Sequence, residues 1–211
     1  MKEMDLHPSL GHADVDGLCL LVDEAAREQG VIVAFSDRSG GVSKVPFATL
    51  NLSTRAGDVK AAVIENRGRL MRSVGLTPES LAFLKQVHGA QVVDESAAHT
   101  GCEGDVVVIT KPGTTAGVLA ADCVPVVVLG EDGLAAIHAG WRGLVGGAIE
   151  AGVARVGRPV AAWVGPSIKG CCYEVGPDVV GAFHEKALPV ADGRHVDTGA
   201  AAYALLMRTG V

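Results

Sequence analysis

The feature that most constrains the fold is a series of short, fully apolar segments between residues 106 and 164. They are rich in β-branched residues and cover positions 106–109, 117–121, 124–129, 134–137 and 160–164. Because these segments are continuously apolar rather than alternating, they predict strands that are buried on both faces. Such strands need helices or a second sheet outside them, so the sequence predicts a single α+β domain with mixed β-sheets covered by helices.

The flanking segments predict the remaining elements of this fold. We expect a strand at 31–35, a helix at 58–74 capped by Asp58 and ended by Gly75, a helix at 142–156 and a last helix beginning at Pro177. Residues 1–30 are polar and irregular apart from a possible helix at 18–29. We interpret them as a peripheral segment beside a domain at 31–211.

Composition excludes several classes of function. The chain has 211 residues, 48% of them apolar, and a net charge of −6, which argues against general binding of nucleic acid. The most apolar window, 113–130, carries Asp122 and Pro125 and is interpreted as buried strands rather than a membrane span. No secretory signal is visible near the N-terminus, which predicts a cytoplasmic protein. The five cysteines, two of them adjacent, favour free thiols or metal ligands over disulfides.

Three residues at the boundaries of apolar segments are the candidate metal ligands. His88 lies in KQVHG, Cys123 in ADCVP and His138 in IHAGWRG, and each is followed by a turn or small residue. If they converge, two imidazoles and one thiolate would form a three-ligand zinc site with one open position, the arrangement of catalytic zinc. The same donors could also take copper.

Each of the three residues has a simpler interpretation when it is considered alone. A histidine in an apolar stretch is usually a hydrogen-bonded core residue, and buried free cysteines are common. The spacing matches no short zinc signature such as HExxH or paired CxxC. The remaining histidines lie in polar surroundings and are predicted to be surface residues: His7, His12, His99, His184 and His195.

Other polar residues are candidates for substrate binding. Arg38 lies in a glycine-rich turn that could hold a phosphate, Asn51 could bind a substrate hydroxyl or cap a turn, and Arg142 begins a predicted helix. Asp122 is a candidate proton carrier, although a turn-capping role is as simple. The rings that could stack on a base or sugar belong to Trp141 and Tyr173, and core packing is the default role for both.

Ordered motifs connect these residues to a known family. The segments FSDRSGGVS, NLS, ENR, KQVHG, ADCVP, HAGWRG and GPSIKGCCYEVG resemble the YfiH-type laccase-domain proteins, which are also described as purine nucleoside phosphorylases. The likeness runs from about residue 31 to residue 211. It implies a single α+β domain with mixed sheets and a zinc ion held by His88, Cys123 and His138, which would then be the catalytic centre as well.

The resemblance also implies a range of activities. The family is linked to phosphorolysis of adenosine, inosine and methylthioadenosine, to adenosine deamination, to copper-dependent polyphenol oxidation and to editing of peptidoglycan precursors. Two departures stand out. Asp37 occupies a position where the family usually has Thr, which would weaken phosphate binding at Arg38 unless the acid points away. Family members also continue past the position of Val211, through a Cys-Thr pair and an Arg-Arg-Asp run.

The leading hypothesis is a zinc-dependent enzyme that acts on purine nucleosides and phosphate, by phosphorolysis and by adenosine deamination, with no nucleic-acid or membrane partner and no predicted oligomeric state. One alternative makes Cys123 a nucleophile, with His88 or His138 as its base, in a hydrolase that edits peptidoglycan precursors. Copper-dependent polyphenol oxidation is a second alternative. A metal-storing or protein-interaction module without activity is the third.

Overall fold

The computed structural model describes residues 6–98 and 101–211, and the chain divides into two compact units between Leu81 and Ala82. The first unit holds a three-stranded antiparallel sheet, in the order β1-β2-β3, and two helices. Its elements are β1 Gly11–Val15, β2 Leu18–Val22, α1 Glu24–Glu28, β3 Ala34–Ser36, α2 Lys60–Ser73 and a short 3-10 turn Pro78–Ser80. Its buried apolar cluster contains Leu18, Leu20, Leu50 and Val74.

The N-terminal segment contains a β-hairpin, so the prediction of irregular structure is wrong for residues 11–15. The predicted helix at 18–29 is wrong for residues 18–22, which form β2. Asp16 and Gly17 connect the strands with φ values of 53° and 79°, the signs that a tight type I′ turn requires. The Asp-Gly pair between the runs GHADV and LCLLV was the signal for this hairpin. Helix α1 does lie in the predicted stretch, and the proposed domain boundary at residue 30 stays a prediction, with β2 pairing across it to β3.

Helix α2 confirms the predicted helix but not its predicted cap. Val59 is the N-cap and makes no side-chain hydrogen bond, because the Asp58 carboxylate binds the Ser43 hydroxyl and the Asn51 amide instead. Gly75 follows the helix with a φ of 79°, in the left-handed conformation expected of a glycine that ends a helix.

The second unit is built on a five-stranded mixed sheet in the order β10-β8-β9-β6-β5. All neighbours pair antiparallel except β5 and β6, which are parallel. Two small sheets pair β4 with β7 and β11 with β12. The strands are β4 Leu81–Phe83, β5 Val92–Asp94, β6 Val106–Ile109, β7 Thr115–Gly117, β8 Val124–Gly130, β9 Leu134–Ala139, β10 Pro159–Val164, β11 Val190–Asp192 and β12 His195–Val196.

The central sheet is covered on both faces, as its continuous apolarity predicts. Along β6, Val106 and Val108 belong to the main core, whereas Val107 packs into a second cluster with Ala82 and Leu84. The α+β class with mixed sheets is confirmed. The predicted strand at 117–121 is wrong, since β7 ends at Gly117 and the following residues form the loop that leads to β8.

The described residues of the second unit form five helices, and several of them differ from expectation. The elements are α3 Glu95–Ala98, α4 Trp141–Gly146, α5 Ala148–Val153, α6 Pro177–Glu185 and α7 Thr198–Arg208. The single helix predicted at 142–156 is broken because Gly147 has a φ of 87°. Helix α6 begins at Pro177 as predicted, but it is followed by α7, whose first turn is capped by the Asp197 carboxylate. Among the described residues, no helix has the length and apolarity needed to cross a membrane.

Candidate metal centre

Strand pairing brings Cys123 and His138 together. His138 lies near the end of β9 and pairs with Pro125 of β8, so Cys123, directly before β8, stands beside the end of β9. On the other side of β9, the His138 backbone N–H donates to the Asp105 carbonyl at 2.8 Å. The position of this imidazole is therefore set by the two strands that flank it.

His88 reaches the same place from a loop. Its φ of 62° is in the left-handed region, which is uncommon for a residue other than glycine. The Asp105 carboxylate holds this conformation by accepting hydrogen bonds from the backbone N–H groups of Val87, His88 and Gly89, at 3.2, 3.0 and 2.7 Å. Three converging N–H groups around a buried anion form a nest, so the acid replaces the hydrogen bonds that an irregular loop would otherwise lack.

The side chains of His88, Cys123 and His138 converge, as the sequence predicts. Their potential ligand atoms all lie within 4.8 Å of one another, and the two imidazole rings stand edge to face with centroids 4.9 Å apart. Two ligands on a tetrahedral zinc ion lie about 3.6 Å apart, so contraction by about 1 Å would bring the set onto one ion. His138 is buried, Cys123 is partly buried and His88 is exposed, which leaves one side of the group open to solvent.

Asp105 gives His138 the protonation state that a ligand needs. Its side chain is fully buried, and its Oδ1 lies 2.8 Å from the His138 Nδ1. A neutral imidazole donates its Nδ1–H to this carboxylate and keeps Nε2 free as an acceptor. Metal-binding histidines in proteins almost always have such a partner, which fixes both the tautomer and the ring orientation.

The pKa shifts at the centre favour metal binding over unassisted thiolate chemistry. Burial lowers the pKa of His138 below its usual 6.5, and the hydrogen bond and charge of Asp105 oppose this shift only in part, so the ring is neutral at pH 7. Burial, together with the charges of Asp122 and Asp105, raises the pKa of Cys123 above 9.0. Cys123 is therefore a thiol at neutral pH unless a cation displaces its proton, whereas a nucleophilic cysteine has a lowered pKa.

Gly140 lies directly against the ligands. A Cβ atom at this position would come within 2.9 Å of the Cys123 Sγ and 3.1 Å of the His88 Cδ2. Its φ of −72° and ψ of 174° are accessible to any residue, so the space beside the ligands is the reason for glycine here.

Two of the other predicted site residues, Trp141 and Arg142, pack against each other. Arg142 lies over the Trp141 indole, with its guanidinium carbon 4.3 Å from the ring centroid. Tyr173 is partly buried, and its pKa is raised first by burial and then by the charges of Cys123 and Asp122, with Arg142 acting in the opposite direction. The phenol therefore stays protonated at neutral pH and is within electrostatic range of both the thiol and the guanidinium.

The other two predicted substrate residues belong to the first unit, and both make internal hydrogen bonds. Arg38 is exposed and donates from Nε and Nη2 to the Ala48 carbonyl, at 3.1 and 2.8 Å. The Asn51 amide donates to the Asp58 carboxylate and the Ser53 carbonyl. The Asp37 carboxylate accepts from the Ser39 backbone N–H and hydroxyl. Substrate binding by Arg38 and Asn51 stays a prediction.

The other histidines and cysteines within residues 6–98 and 101–211 do not join the centre. His7, His12 and His184 are exposed, as predicted, whereas His195 is partly buried and hydrogen-bonded to Asp192, and His99 lies outside the described residues. All five cysteines are free thiols in the structure.

Asp105 is the functional residue that sequence reasoning missed. A single acid in GDVVVI reads as an ordinary turn residue before a strand. Its distinguishing signal was position, because it directly precedes one of the most apolar segments of the chain, where an acid is buried only if it is fully hydrogen-bonded.

The chain is similar in sequence to two curated purine nucleoside phosphorylases. A purine nucleoside phosphorylase of Deinococcus radiodurans is 40% identical over 191 residues, which cover 84% of this chain and 75% of that protein. The Escherichia coli purine nucleoside phosphorylase YfiH is 38% identical over 170 residues, covering 78% and 70%.

Solved structures show the same architecture. The crystal structure of a Neisseria meningitidis protein of the family DUF152 has a TM-score of 0.73 at 32% identity and covers 96% of this chain and 84% of its own. YlmD from Geobacillus stearothermophilus has a TM-score of 0.75 at 25% identity, covering 99% and 84%. The model of the family described as multi-copper polyphenol oxidoreductase laccase matches residues 32–211. On this match and these relatives, the chain belongs to the laccase-like family that includes the YfiH proteins.

Proposed function

We propose that this protein is a zinc-dependent purine nucleoside phosphorylase that also deaminates adenosine. The observation that carries the proposal is the convergence of His88, Cys123 and His138 within 4.8 Å, with a buried carboxylate behind one imidazole. Relatives at 38–40% identity are named purine nucleoside phosphorylases, which supports the substrate class. Two nitrogens, one sulfur and one open position are the donor set of catalytic zinc.

The zinc ion, when bound, would supply a Lewis acid that lowers the pKa of a water molecule towards neutrality. The chain's own residues would provide the remaining functions. Asp105 holds His138 in one tautomer, Cys123 would hold the ion as a thiolate, and His88 would complete the set from the solvent side. Adenosine deamination would use the activated water at C6 of the purine, with Asp122 as the proposed proton carrier.

Phosphorolysis requires a phosphate oxygen to attack the anomeric carbon of the ribose while the purine departs. Positive charge develops on the sugar and negative charge on the purine, so fixed donors and cations near both groups lower the barrier. Arg142, which lies over the Trp141 ring, is the proposed phosphate ligand of the second unit, and the protonated Tyr173 phenol is a donor within electrostatic range of Cys123. Arg38 and Asn51 remain proposed phosphate and ribose ligands of the first unit.

The observations favour zinc over copper and over an unassisted cysteine. Within residues 6–98 and 101–211, one group of three histidine, cysteine or carboxylate ligands is present, which suits a single ion rather than the several coppers of a multicopper oxidase. The raised pKa of Cys123 argues against the hydrolase alternative, in which this thiol would act as a free nucleophile. Polyphenol oxidation remains the second candidate, because the family description itself names that activity.

The test combines metal analysis with product detection. The purified protein should contain about one zinc ion per chain and should convert inosine to hypoxanthine and ribose 1-phosphate only when phosphate is present. With adenosine it should release ammonia. The variants H88A, C123A and H138A should lose both the metal and the products. The variant C19A, which alters an exposed cysteine of β2, is the matched control and should retain both.

Three outcomes would overturn the proposal. Full activity of the metal-free protein would exclude a catalytic role for the ion. Release of the purine base without phosphate would indicate hydrolysis rather than phosphorolysis. Oxygen consumption with a phenolic substrate, restored by copper but not by zinc, would support the polyphenol oxidase instead.

A further inference from the structure

A second pair of thiols lies outside the metal centre. Cys171 and Cys172 are both exposed, and their Sγ atoms are 2.8 Å apart. Adjacent residues in a chain do not ordinarily bring their side chains together in this way, since in extended structure they point to opposite sides. The pair belongs to the loop that joins β10 to α6.

The loop holds the pair in this arrangement. The backbone N–H groups of Cys172 and Tyr173 both donate to the Lys169 carbonyl, at 2.9 and 3.0 Å, which closes a tight turn around the two cysteines. The loop is tied to the start of β8 as well, where the Ile168 N–H donates to the Asp122 carbonyl at 2.9 Å. The two sulfurs are therefore presented to solvent by a hydrogen-bonded turn rather than by a free loop.

We propose that Cys171 and Cys172 form a redox-active dithiol, a modification site at which a low-molecular-weight disulfide such as glutathione disulfide closes a reversible bond between the two sulfurs. This inference does not depend on the proposed nucleoside chemistry. It concerns residues that have no part in the metal centre.

The reaction balances as two thiol–disulfide exchanges. The thiolate of one cysteine attacks the small disulfide, breaks its S–S bond and releases one small thiol. The neighbouring thiolate then attacks the protein sulfur of the mixed disulfide, forms the bond between the two cysteines and releases the second small thiol. The protein pair loses two protons and two electrons, and the small disulfide is reduced to two thiols.

The distance between the sulfurs favours this bond over a bridging metal ion. Two thiolates on a tetrahedral zinc ion are about 3.8 Å apart, because each Zn–S bond is about 2.3 Å. A disulfide needs about 2.05 Å, so the observed 2.8 Å is nearer to the disulfide. Because the two sulfurs are close, the second exchange is intramolecular and therefore faster than attack by another molecule of small thiol.

The bond should be reversible. The Cα atoms of consecutive residues are about 3.8 Å apart, which is below the usual range of about 4.4–6.8 Å for disulfides. A bond made across so short a span is strained, and strained, exposed disulfides are the ones that small thiols reduce easily. The site would therefore close under an excess of oxidised glutathione and reopen with its reduced form.

Peptide mass analysis tests the proposal. Trypsin releases residues 170–186, which contain these two cysteines and no others. After treatment of the folded protein with glutathione disulfide, we expect this peptide to lose the mass of two hydrogen atoms and to carry no glutathione. Dithiothreitol should restore the original mass. The single variants C171S and C172S cannot close the bond and should each carry one glutathione on this peptide.

The controls separate the proposal from other thiol reactions. The variant C123S should still form the bond, since Cys123 is not a partner of the pair, and the thermal midpoints of all variants show whether they are folded. The proposal is overturned if the wild-type peptide retains glutathione, if it stays reduced while exposed Cys19 is modified, or if either cysteine is linked to a different cysteine of the chain.

Discussion

Replacing Asp105 by Asn keeps the size of the side chain but removes its charge, and we expect it to weaken metal binding through His138. The wild-type carboxylate accepts from the His88 N–H and the His138 Nδ1 on one oxygen, and from the Val87 and Gly89 N–H groups on the other. An amide offers one oxygen and one NH2 group. In either orientation, the NH2 group faces at least one donor.

The orientation of the D105N amide that leaves fewer N–H groups without an acceptor has a specific consequence for His138. If the NH2 group replaces Oδ1, it can donate to the Nδ1 of His138 only when the imidazole carries its proton on Nε2, the atom that a metal ion needs. The His88 N–H then has no acceptor, which costs about 1–3 kcal/mol of unfolding free energy. Changes to residues that orient a metal-binding histidine typically cost about 10–100-fold in metal affinity, or about 1.4–2.8 kcal/mol.

Two measurements on the D105N variant check these values. Competition for zinc with a chromogenic chelator gives the affinity, and urea unfolding of the metal-free protein gives the stability. The control is D132N, which removes an exposed carboxylate from the turn between β8 and β9. A D105N variant that loses stability but binds zinc as tightly as the wild type would refute the orienting role of Asp105 and leave it a purely structural residue.

The remaining predictions concern protonation at the metal centre, the space beside Gly140 and the buried Asn66 of the first unit. Zinc affinity should rise about tenfold per pH unit between about pH 6 and pH 8, because each ion displaces one proton from Cys123, whose pKa is raised; a flat titration would contradict this. The metal-free protein should lose stability as the pH falls below 6.5, since the unfolded chain binds a proton that buried His138 resists, and the variant H138Q should lose less in urea titrations. The variant G140A should bind zinc more weakly than G146A, because a Cβ meets two ligands at the first site and open space at the second; equal chelator competition would disprove the steric argument. The variant N66A should lose at least about 2 kcal/mol of unfolding free energy, because this fully buried amide bonds four partners, and a smaller loss in urea unfolding would show that the loop rearranges to replace them.

The sheet and two of the three candidate ligands, Cys123 and His138, were predictable for a common physical reason. Long apolar runs have few ways to be buried, so the strands that begin near Val106, Val124 and Leu134 were readable from composition. Polar residues at the ends of such strands meet at the sheet edges. The convergence of Cys123 and His138 therefore follows from strands that were themselves predictable.

The missed features depend on individual residues rather than on patterns. The break between α4 and α5 comes from one left-handed glycine, Gly147, inside an otherwise helical pattern. The role of Asp105 depends on contacts with a loop that lies 16 to 18 positions earlier in the chain. Local propensity contains no information about such contacts, so structure was needed to find them.

Asp105, Cys123 and His138 of the metal centre lie in or next to β6, β8 and β9. The geometry of the centre therefore depends on the correct pairing of these buried strands. Val126 pairs with Ile137 deep in the sheet, and a slip of one position there would turn every side chain of the strand to the opposite face. Substitutions at such valines and isoleucines, far from any reacting atom, would then alter turnover before they caused unfolding. Selection for catalysis and selection for a well-packed interior would act on the same residues in this protein.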